Sequence, residues 1–218
     1  MKYKKTVKVI LTLTVFILYE RKDTSMIPNL ATLILMGGQN KRMNGQHKAF
    51  LKLHEKSFLD QIITSLKSCG PIYLSVNDKS LYSHLPYPLI EDCYKEIGPI
   101  GGIYSTLLKV PSDYVFIIAC DMPFMEAEFV NYLYSQLEPD TSCIVVSDSS
   151  GRFYPLGGIY SKTMLPLIKE QIEKENYRLG ALLKRAGAKI IPLNETTFSE
   201  KLLRNINTPK EYEALLEK

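Results

Sequence analysis

An unbroken apolar run, Leu30 to Leu35, passes without a spacer into Met36-Gly37-Gly38-Gln39-Asn40-Lys41-Arg42-Met43-Asn44-Gly45-Gln46-His47-Lys48. The run has the length and composition of a strand covered on both faces, as the strands of parallel sheets are. A helical pattern begins soon afterwards. Between the two lie three glycines and three basic residues, Lys41, Arg42 and Lys48. Glycine lets backbone N–H groups close on an anion with no Cβ in the way. Arginine offers a planar fork of donors and lysine a point charge. Two readings fit the stretch alone: a loop that wraps a polyphosphate, or an ordinary strand-to-helix turn whose charges face water.

The rest of the chain alternates strand and helix patterns. Ala31–Leu35 is the first strand. Ser57 reads as an N-cap with Asp60 at N3, and Phe58, Leu59, Ile62, Ile63 and Leu66 fall at helical spacing. Pro71–Val76 is a second strand with Asn77 past its end, and Leu89–Asp92 is a brief third. Gly98-Pro99-Ile100-Gly101-Gly102 reads as a glycine cluster running into a helix over 103–108. Tyr114–Ala119 is the most strand-like run and ends at Cys120-Asp121. Further helices are expected over 126–137, 161–173 and 179–186. Strands are expected over 143–147 and 153–160, joined by a Ser149-Ser150-Gly151 turn, and over 189–192. Thr208-Pro209-Lys210-Glu211 is a capping box with proline at N1, opening a last helix.

Such alternation predicts an α/β fold: three layers, Rossmann-like, with a mostly parallel central sheet and right-handed crossovers. Ligands of such sheets bind at the carboxyl ends of the strands. The glycine-rich stretch, Asn77, Asp92 and Asp121 each follow a strand, so the architecture gathers them along one edge.

The totals agree with one globular domain. The chain has 218 residues, 45% of them hydrophobic, and a net charge of +4. That charge is too weak to argue for nucleic acid and suits an enzyme with phosphate ligands. Cys69, Cys93, Cys120 and Cys143 form no C-x-x-C pair and no metal-ligand spacing with histidine, so reduced thiols in a cytoplasmic protein are expected. The segment 1–25 stands apart. It opens basic and continues with an apolar run from Val7 to Tyr19 that is too short to span a bilayer comfortably, and no small-x-small cleavage site follows. Met26 is expected to be the natural start, with 1–25 a non-native or disordered extension, no membrane association, and a single domain over 26–218.

The familiar phosphate fingerprints fail. No Lys-Ser/Thr follows Gly38 to Gly45 at P-loop spacing, and G-x-G-x-x-G is absent. Instead, L-I-L-M-G-G-Q-N-K-R-M-N-G-Q-H-K-A-F-L resembles the nucleotidyltransferase pattern L-A-G-G-x-S-x-R-M-G-x-D-K. The order continues with I-E-D, G-P-I-G-G-I, A-C-D-M-P, Y-P-L-G-G-I-Y and N-I-N-T-P, covering nearly everything after Met26. Within that family the chain is most similar to the MobA-like molybdenum cofactor guanylyltransferases. The resemblance implies transfer of GMP from GTP to the molybdopterin cofactor with Mg2+, release of pyrophosphate, and molybdoenzyme-assembly proteins as further partners.

The same resemblance implies roles. The backbone of Leu35, Met36, Gly37 and Gly38 would lie against the nucleotide, Arg42 and Lys48 would hold phosphates, and Asn77 and Asp92 would bind the guanosine part. Asp121 would hold the metal, with Arg42, Lys48 and Asp121 as the catalytic set. Arg178 is a candidate for the anionic pterin, set against a solvated surface role, and Asn205 and Asn207 read as turn formers. His47, His54 and His84 form no constellation. Three departures fall inside the glycine-rich stretch: Met36 for the usual alanine, Asn44 for glycine and His47 for aspartate. They bear on nucleotide choice and rate. A transferase using CTP or a sugar phosphate, and a nucleotide-binding protein without catalysis, are the competing readings.

Overall fold

The structure is a computed structural model and describes residues 26–37 and 47–216. The expected extension 1–25, together with Gly38, Arg42 and Asn44, lies outside the described residues.

Nine strands are described: β1 (Leu30–Leu35), β2 (Lys52–Leu53), β3 (Lys56–Ser57), β4 (Ile72–Val76), β5 (Leu89–Glu91), β6 (Tyr114–Ala119), β7 (Cys143–Ser147), β8 (Phe153–Ser161) and β9 (Lys189–Pro192). Seven of them form one sheet in the order β5-β4-β1-β6-β8-β7-β9. β1 is central and pairs in parallel with β4 and β6. Every side chain of β1 is buried, as expected for a strand with helices on both faces. Only β8 runs against its neighbours, antiparallel to both β6 and β7. The sequence marks β7 and β8 as a hairpin pair, and that pairing forces the reversal. β2 and β3 form a small separate hairpin, too short to announce itself as a periodic pattern.

Six α-helices are described: α1 (Phe58–Leu66), α2 (Pro99–Lys109), α3 (Ala127–Ser135), α4 (Leu165–Glu173), α5 (Leu179–Arg185) and α6 (Pro209–Leu216). α1 begins as its sequence requires. Ser57 and Asp60 exchange the two hydrogen bonds of a capping box, and Phe58, Leu59, Ile62, Ile63 and Leu66 are buried. α1 and α3 pack on one face of the sheet with Ile34, Phe116 and Ile118. α2, α4 and α5 cover the other face with Leu33, Val115 and Ile117. The result is the expected three layers. A third cluster joins Leu51, Leu53 and Phe58 to Ile206 and Leu215, which seats α6 on the β2–β3 hairpin.

Two expectations need correction. The glycine cluster at 98–102 does not precede a helix that starts at Ile103: α2 starts at Pro99, with Gly98 as its N-cap at φ 75°. Gly101 and Gly102 are inside the helix because it passes tightly over its neighbours. A Cβ at Gly101 would lie 2.6 Å from the Tyr94 carbonyl oxygen, and one at Gly102 would lie 2.5 Å from Ser75 Oγ. The helix expected over 161–173 is interrupted: residues 162–164 form a 3-10 turn and α4 starts at Leu165, with Pro166 in its first turn.

Candidate active site

The crossovers place the site. From β1 the chain builds outward through β4 to β5, then returns to β6 on the other side of β1. The C-terminal ends of β1 and β6 therefore flank the point where the direction of winding reverses, which is where open α/β sheets bind ligands. Cys120 N donates to Leu35 O at 3.1 Å there, and Met36 N donates to Ser75 O of β4 at 3.0 Å, so the three strand ends are tied together.

Lys48 opens a 3-10 turn over Lys48–Phe50. Its Nζ donates to Asp121 Oδ2 at 2.9 Å and to Asn207 Oδ1 at 2.8 Å. Both members of the ion pair are mostly withdrawn from water, at 19% and 13% side-chain exposure. An ammonium has three N–H donors, so one remains for a ligand. Asp121 Oδ1 is buried and has no hydrogen-bond partner among the described residues. A buried carboxylate oxygen without a donor is costly, and this one could hold a cation. Among the described residues no three His, Cys, Asp or Glu side chains converge as a metal cage. A hard cation at Asp121 would therefore complete its shell with ligand oxygens and water, as Mg2+ on polyphosphates commonly does.

Asn207 corrects the expectation that it merely fixes a turn. Ile206 N donates to Asp121 O at 2.9 Å, and Asn207 N donates to Glu211 Oε2 at 2.6 Å. The second bond extends the capping box of α6, in which Thr208 N also reaches Glu211 Oε2 and Glu211 N reaches Thr208 Oγ1. The Asn207 backbone N–H is the leading reason the Glu211 carboxyl sits below its ordinary range. The sequence shows the N-cap, but only the tertiary structure brings it to Lys48, 159 residues away.

On the other side of β1, Gly37 is exposed, and a Cβ placed on it would lie 3.8 Å from Asn77 Oδ1. Asn77 thus borders the backbone at the end of β1, as expected of the pair. Asp92 follows β5, is partly buried, and accepts from Ser75 Oγ at 2.8 Å. Burial raises its carboxyl above the ordinary value, chiefly by desolvation, while the Ser75 hydroxyl and the Lys109 charge pull it down. The clearance at Gly102, against Ser75 Oγ and Leu35 Cδ2, leaves Ser75 and Asp92 in place. Sequence reasoning did not find Ser75, because a serine inside an apolar strand carries no motif.

The departures in the glycine-rich stretch resolve in part. Met36 is 1% exposed, and its side chain packs into the core with α1 and α3. Its bulk lies in the core, and the exposed backbone at this edge begins at the next residue, Gly37. His47 is not idle: Nδ1 accepts from Ala49 N at 3.3 Å, capping the Lys48 turn, and Nε2 lies 2.6 Å from Tyr82 Oη. Accepting at Nδ1 leaves the proton on Nε2, which then donates to the tyrosine. Burial lowers the His47 pKa, opposed by the Met36 backbone. Arg178 is exposed at the N-cap of α5, where its carbonyl accepts from Gln171 Nε2 at 3.1 Å.

A polar cavity of about 340 Å³ opens beside Asn207, bordered also by Met122, Arg152, Tyr154, Arg204, Asn205 and Glu211.

Residues 32–190, spanning all but the first two residues of the seven-stranded sheet's first strand and the end of its last, match the model of the MobA-like NTP transferase domain. This chain belongs to the MobA-like NTP transferase family. A relative named "Probable molybdenum cofactor guanylyltransferase" from Clostridium perfringens (strain 13) is 33% identical over 192 residues, covering 85% of this chain and 95% of the relative. A protein of the same name from Carboxydothermus hydrogenoformans is 32% identical over 191 residues, covering 86% and 95%. Among solved structures, molybdopterin-guanine dinucleotide biosynthesis protein A from Archaeoglobus fulgidus superposes with a TM-score of 0.74 at 22% identity, covering 86% of this chain and 97% of that one. A 2-C-methyl-D-erythritol 4-phosphate cytidylyltransferase from Thermus thermophilus shares the fold at a TM-score of 0.58 and 11% identity, covering 85% and 97%. As a MobA-like NTP transferase the chain is a nucleotidyltransferase.

Proposed function

We propose that this chain transfers GMP from GTP to the molybdopterin form of the molybdenum cofactor and releases pyrophosphate. The observation that carries the chemistry is the Lys48–Asp121–Asn207 knot at the joined ends of β1 and β6. The choice of substrates is supported by the names of relatives that align over 85% of the chain.

The acceptor attacks through a phosphate oxygen. A bond forms from that oxygen to the α-phosphorus, the bond to the β-phosphate bridging oxygen breaks, and pyrophosphate leaves with the electron pair. The nucleophile is already an anion, so no strong base is needed; the protein positions the groups and stabilises charge. Lys48 directs its remaining N–H at the α-phosphate, where negative charge is redistributed as the bonds exchange. Asn207 and Asp121 hold the ammonium in one place, which removes the cost of orienting it during the reaction. The exposed backbone at Gly37 lies against the nucleoside, with Asn77 and Asp92 at the guanosine end. Arg42 and Gly38 complete the phosphate contacts in this reading.

Mg2+ fits the donor set through Asp121 Oδ1, which has no partner among the described residues. When bound it supplies charge neutralisation on the triphosphate. The same reading makes 26–218 one catalytic domain working in the cytoplasm, with molybdoenzyme-assembly proteins receiving the product. No helix among the described residues is long and apolar enough to cross a membrane. Calorimetric titration of GTP, CTP and ATP with Mg2+ tests the nucleotide assignment: GTP should bind tightest, and preferential binding of CTP would overturn it.

A further inference from the structure

His47 stands where the nucleotidyltransferase pattern has aspartate, and its ring is held from two sides. Nδ1 accepts from Ala49 N at 3.3 Å, which makes His47 the N-cap of the 3-10 turn that begins with Lys48. The far end of that turn is fixed by the backbone: Leu51 N donates to Lys48 O at 3.1 Å, and Phe58 N donates to Leu51 O at 2.9 Å. The near end depends on the imidazole. Nε2 lies 2.6 Å from Tyr82 Oη, and the ring packs against Phe50 and Tyr82 at centroid distances of 5.3 Å and 5.4 Å. Tyr82 closes a second 3-10 turn, Lys79–Tyr82, whose N-cap Asp78 accepts from Ser80 N at 2.8 Å and directly follows Asn77. Tyr82 is itself seated on the core cluster that α1 and α3 share with the sheet.

We propose that His47 and Tyr82 are a positioning pair: Tyr82 holds the imidazole, the imidazole holds the turn, and the turn presents Lys48 to the α-phosphate. The proposal rests on the guanylyl-transfer reading for what Lys48 meets, and adds to it how the lysine is aimed. Asp121 and Asn207 fix the Lys48 side chain at its tip. His47 and Tyr82 fix it at its root. One brace thereby joins the segment that leaves β4, with Asn77 at the nucleoside end, to the phosphate end of the site.

The two bonds account for histidine at this position. A neutral imidazole accepts at one nitrogen and donates at the other, so it serves the Ala49 N–H and the Tyr82 oxygen together. An aspartate would cap the turn as well, but it only accepts, and it would add a negative charge one residue from Lys48, where it competes with the phosphates for the ammonium. Desolvation raises the Tyr82 phenol above its ordinary value and lowers the His47 imidazole below its own, so burial favours the uncharged form of both partners. The pair makes and breaks no covalent bond; its contribution is orientation.

The test has a static and a kinetic arm, both on the full chain. With 15N-labelled histidine the protein shows three imidazoles, and His47→Asn identifies one of them by its loss. At neutral pH the His47 ring should carry its proton on Nε2 and accept at Nδ1. Tyr82→Phe removes only the phenol hydroxyl, yet it should speed hydrogen exchange at the Ala49 amide by about threefold to tenfold, the worth of one hydrogen bond. In the kinetic arm, Tyr82→Phe and His47→Asn, which keeps a cap on Ala49 and gives up the reach to Tyr82, should each lower kcat for pyrophosphate release by about threefold to tenfold. GTP affinity should stay within about twofold, because Lys48 keeps its charge and loses only its aim. The double variant should be no slower than the slower single one, since both changes remove the same bond. Should His47→Asn fail to fold, Tyr82→Phe carries both arms alone. A proton on Nδ1, an Ala49 amide indifferent to Tyr82→Phe, or losses in kcat that multiply in the double variant overturns the pair. A wild-type chain that releases no pyrophosphate refutes the transfer reading, and the ring tautomer and the Ala49 exchange then decide the pair without turnover.

Discussion

Lys48 Nζ lies 2.9 Å from Asp121 Oδ2 although 73 residues separate the two in the chain. The contact joins the last residue of the glycine-rich stretch to the second residue after β6, and it leaves Asp121 Oδ1 buried with no partner among the described residues. Asp121→Asn keeps the shape but removes the charge. It should lower kcat for pyrophosphate release by about 100- to 1,000-fold, the cost of losing one well-placed electrostatic group, while the far-ultraviolet circular dichroism stays native. Retention of near-normal turnover would remove Asp121 from the site.

Lys48→Ala carries a stability cost as well, because it strands a mostly buried carboxylate. A loss of about 1–3 kcal/mol in chemical denaturation is expected, with Asn207 also left without its donor. In Lys48→Ala/Asp121→Asn part of that loss should return, since the uncompensated charge is gone. If the double variant is no more stable than Lys48→Ala alone, the two side chains are not coupled as the geometry requires.

Asn207 acts on Lys48 and is itself held by Glu211. Asn207→Ala should reduce kcat by about tenfold or more while GTP affinity changes little, because the lysine loses orientation and keeps its charge. Glu211→Gln should produce a smaller version of the same effect and Glu211→Ala a larger one, since only the alanine removes both the α6 cap and the anchor on the Asn207 N–H. Steady-state kinetics on the three variants reads this order directly.

Gly102→Ala is a test of the packing beneath the site. The new Cβ would sit 2.5 Å from Ser75 Oγ and 2.8 Å from Leu35 Cδ2, and neither the strand nor α2 can move away without disturbing the sheet. A destabilisation of about 1–3 kcal/mol is expected, together with weaker GTP binding because Asp92 loses its Ser75 donor.

Much of this arrangement was legible in the sequence. The apolar blocks at β1 and β6 and the capping signals of α1 and α6 each depend on local chemistry, and each appears where its residues demand. Asn77, Asp92 and Asp121 were legible as strand-end polar groups because a parallel sheet gathers its C-terminal ends. The interior glycines of α2 read in the sequence as a cluster ahead of the helix, because their function is to let a helix pass close to Ser75 and Tyr94, a tertiary demand invisible to propensity. Asn207 and His47 were undervalued for the same reason: each looks like a turn residue locally and acquires its partner, Lys48 or Tyr82, only in the folded chain. Ser75 left no trace, since a lone hydroxyl in a buried strand has no periodic signal.

Two partly buried groups make opposite demands on pH. Desolvation lowers the pKa of His47 from 6.5, so the folded protein prefers the neutral ring. The stability this group contributes is complete above pH 6.5 and is lost as the pH falls through the folded value. Desolvation raises the pKa of Asp92 from 3.8, so its contribution is complete below that value and is lost as the pH rises through the folded one. His47→Gln should therefore flatten the fall of the thermal midpoint on the acid side of about pH 6.5. Asp92→Asn should raise the midpoint at neutral pH while weakening GTP binding. Thermal melts across pH 4–8 check both signs.

In the proposed reaction, a MobA-like NTP transferase site built on Lys48, Asp121 and Asn207 joins GMP to a molybdopterin acceptor. Incubating the full chain with Mg2+, molybdopterin and a single nucleoside triphosphate, and measuring pyrophosphate together with the dinucleotide product, tests it most directly. The expected result is one pyrophosphate per guanine dinucleotide with GTP, little product with CTP, and none in Asp121→Asn. A product formed preferentially from CTP, or GTP binding with no pyrophosphate released, would contradict it.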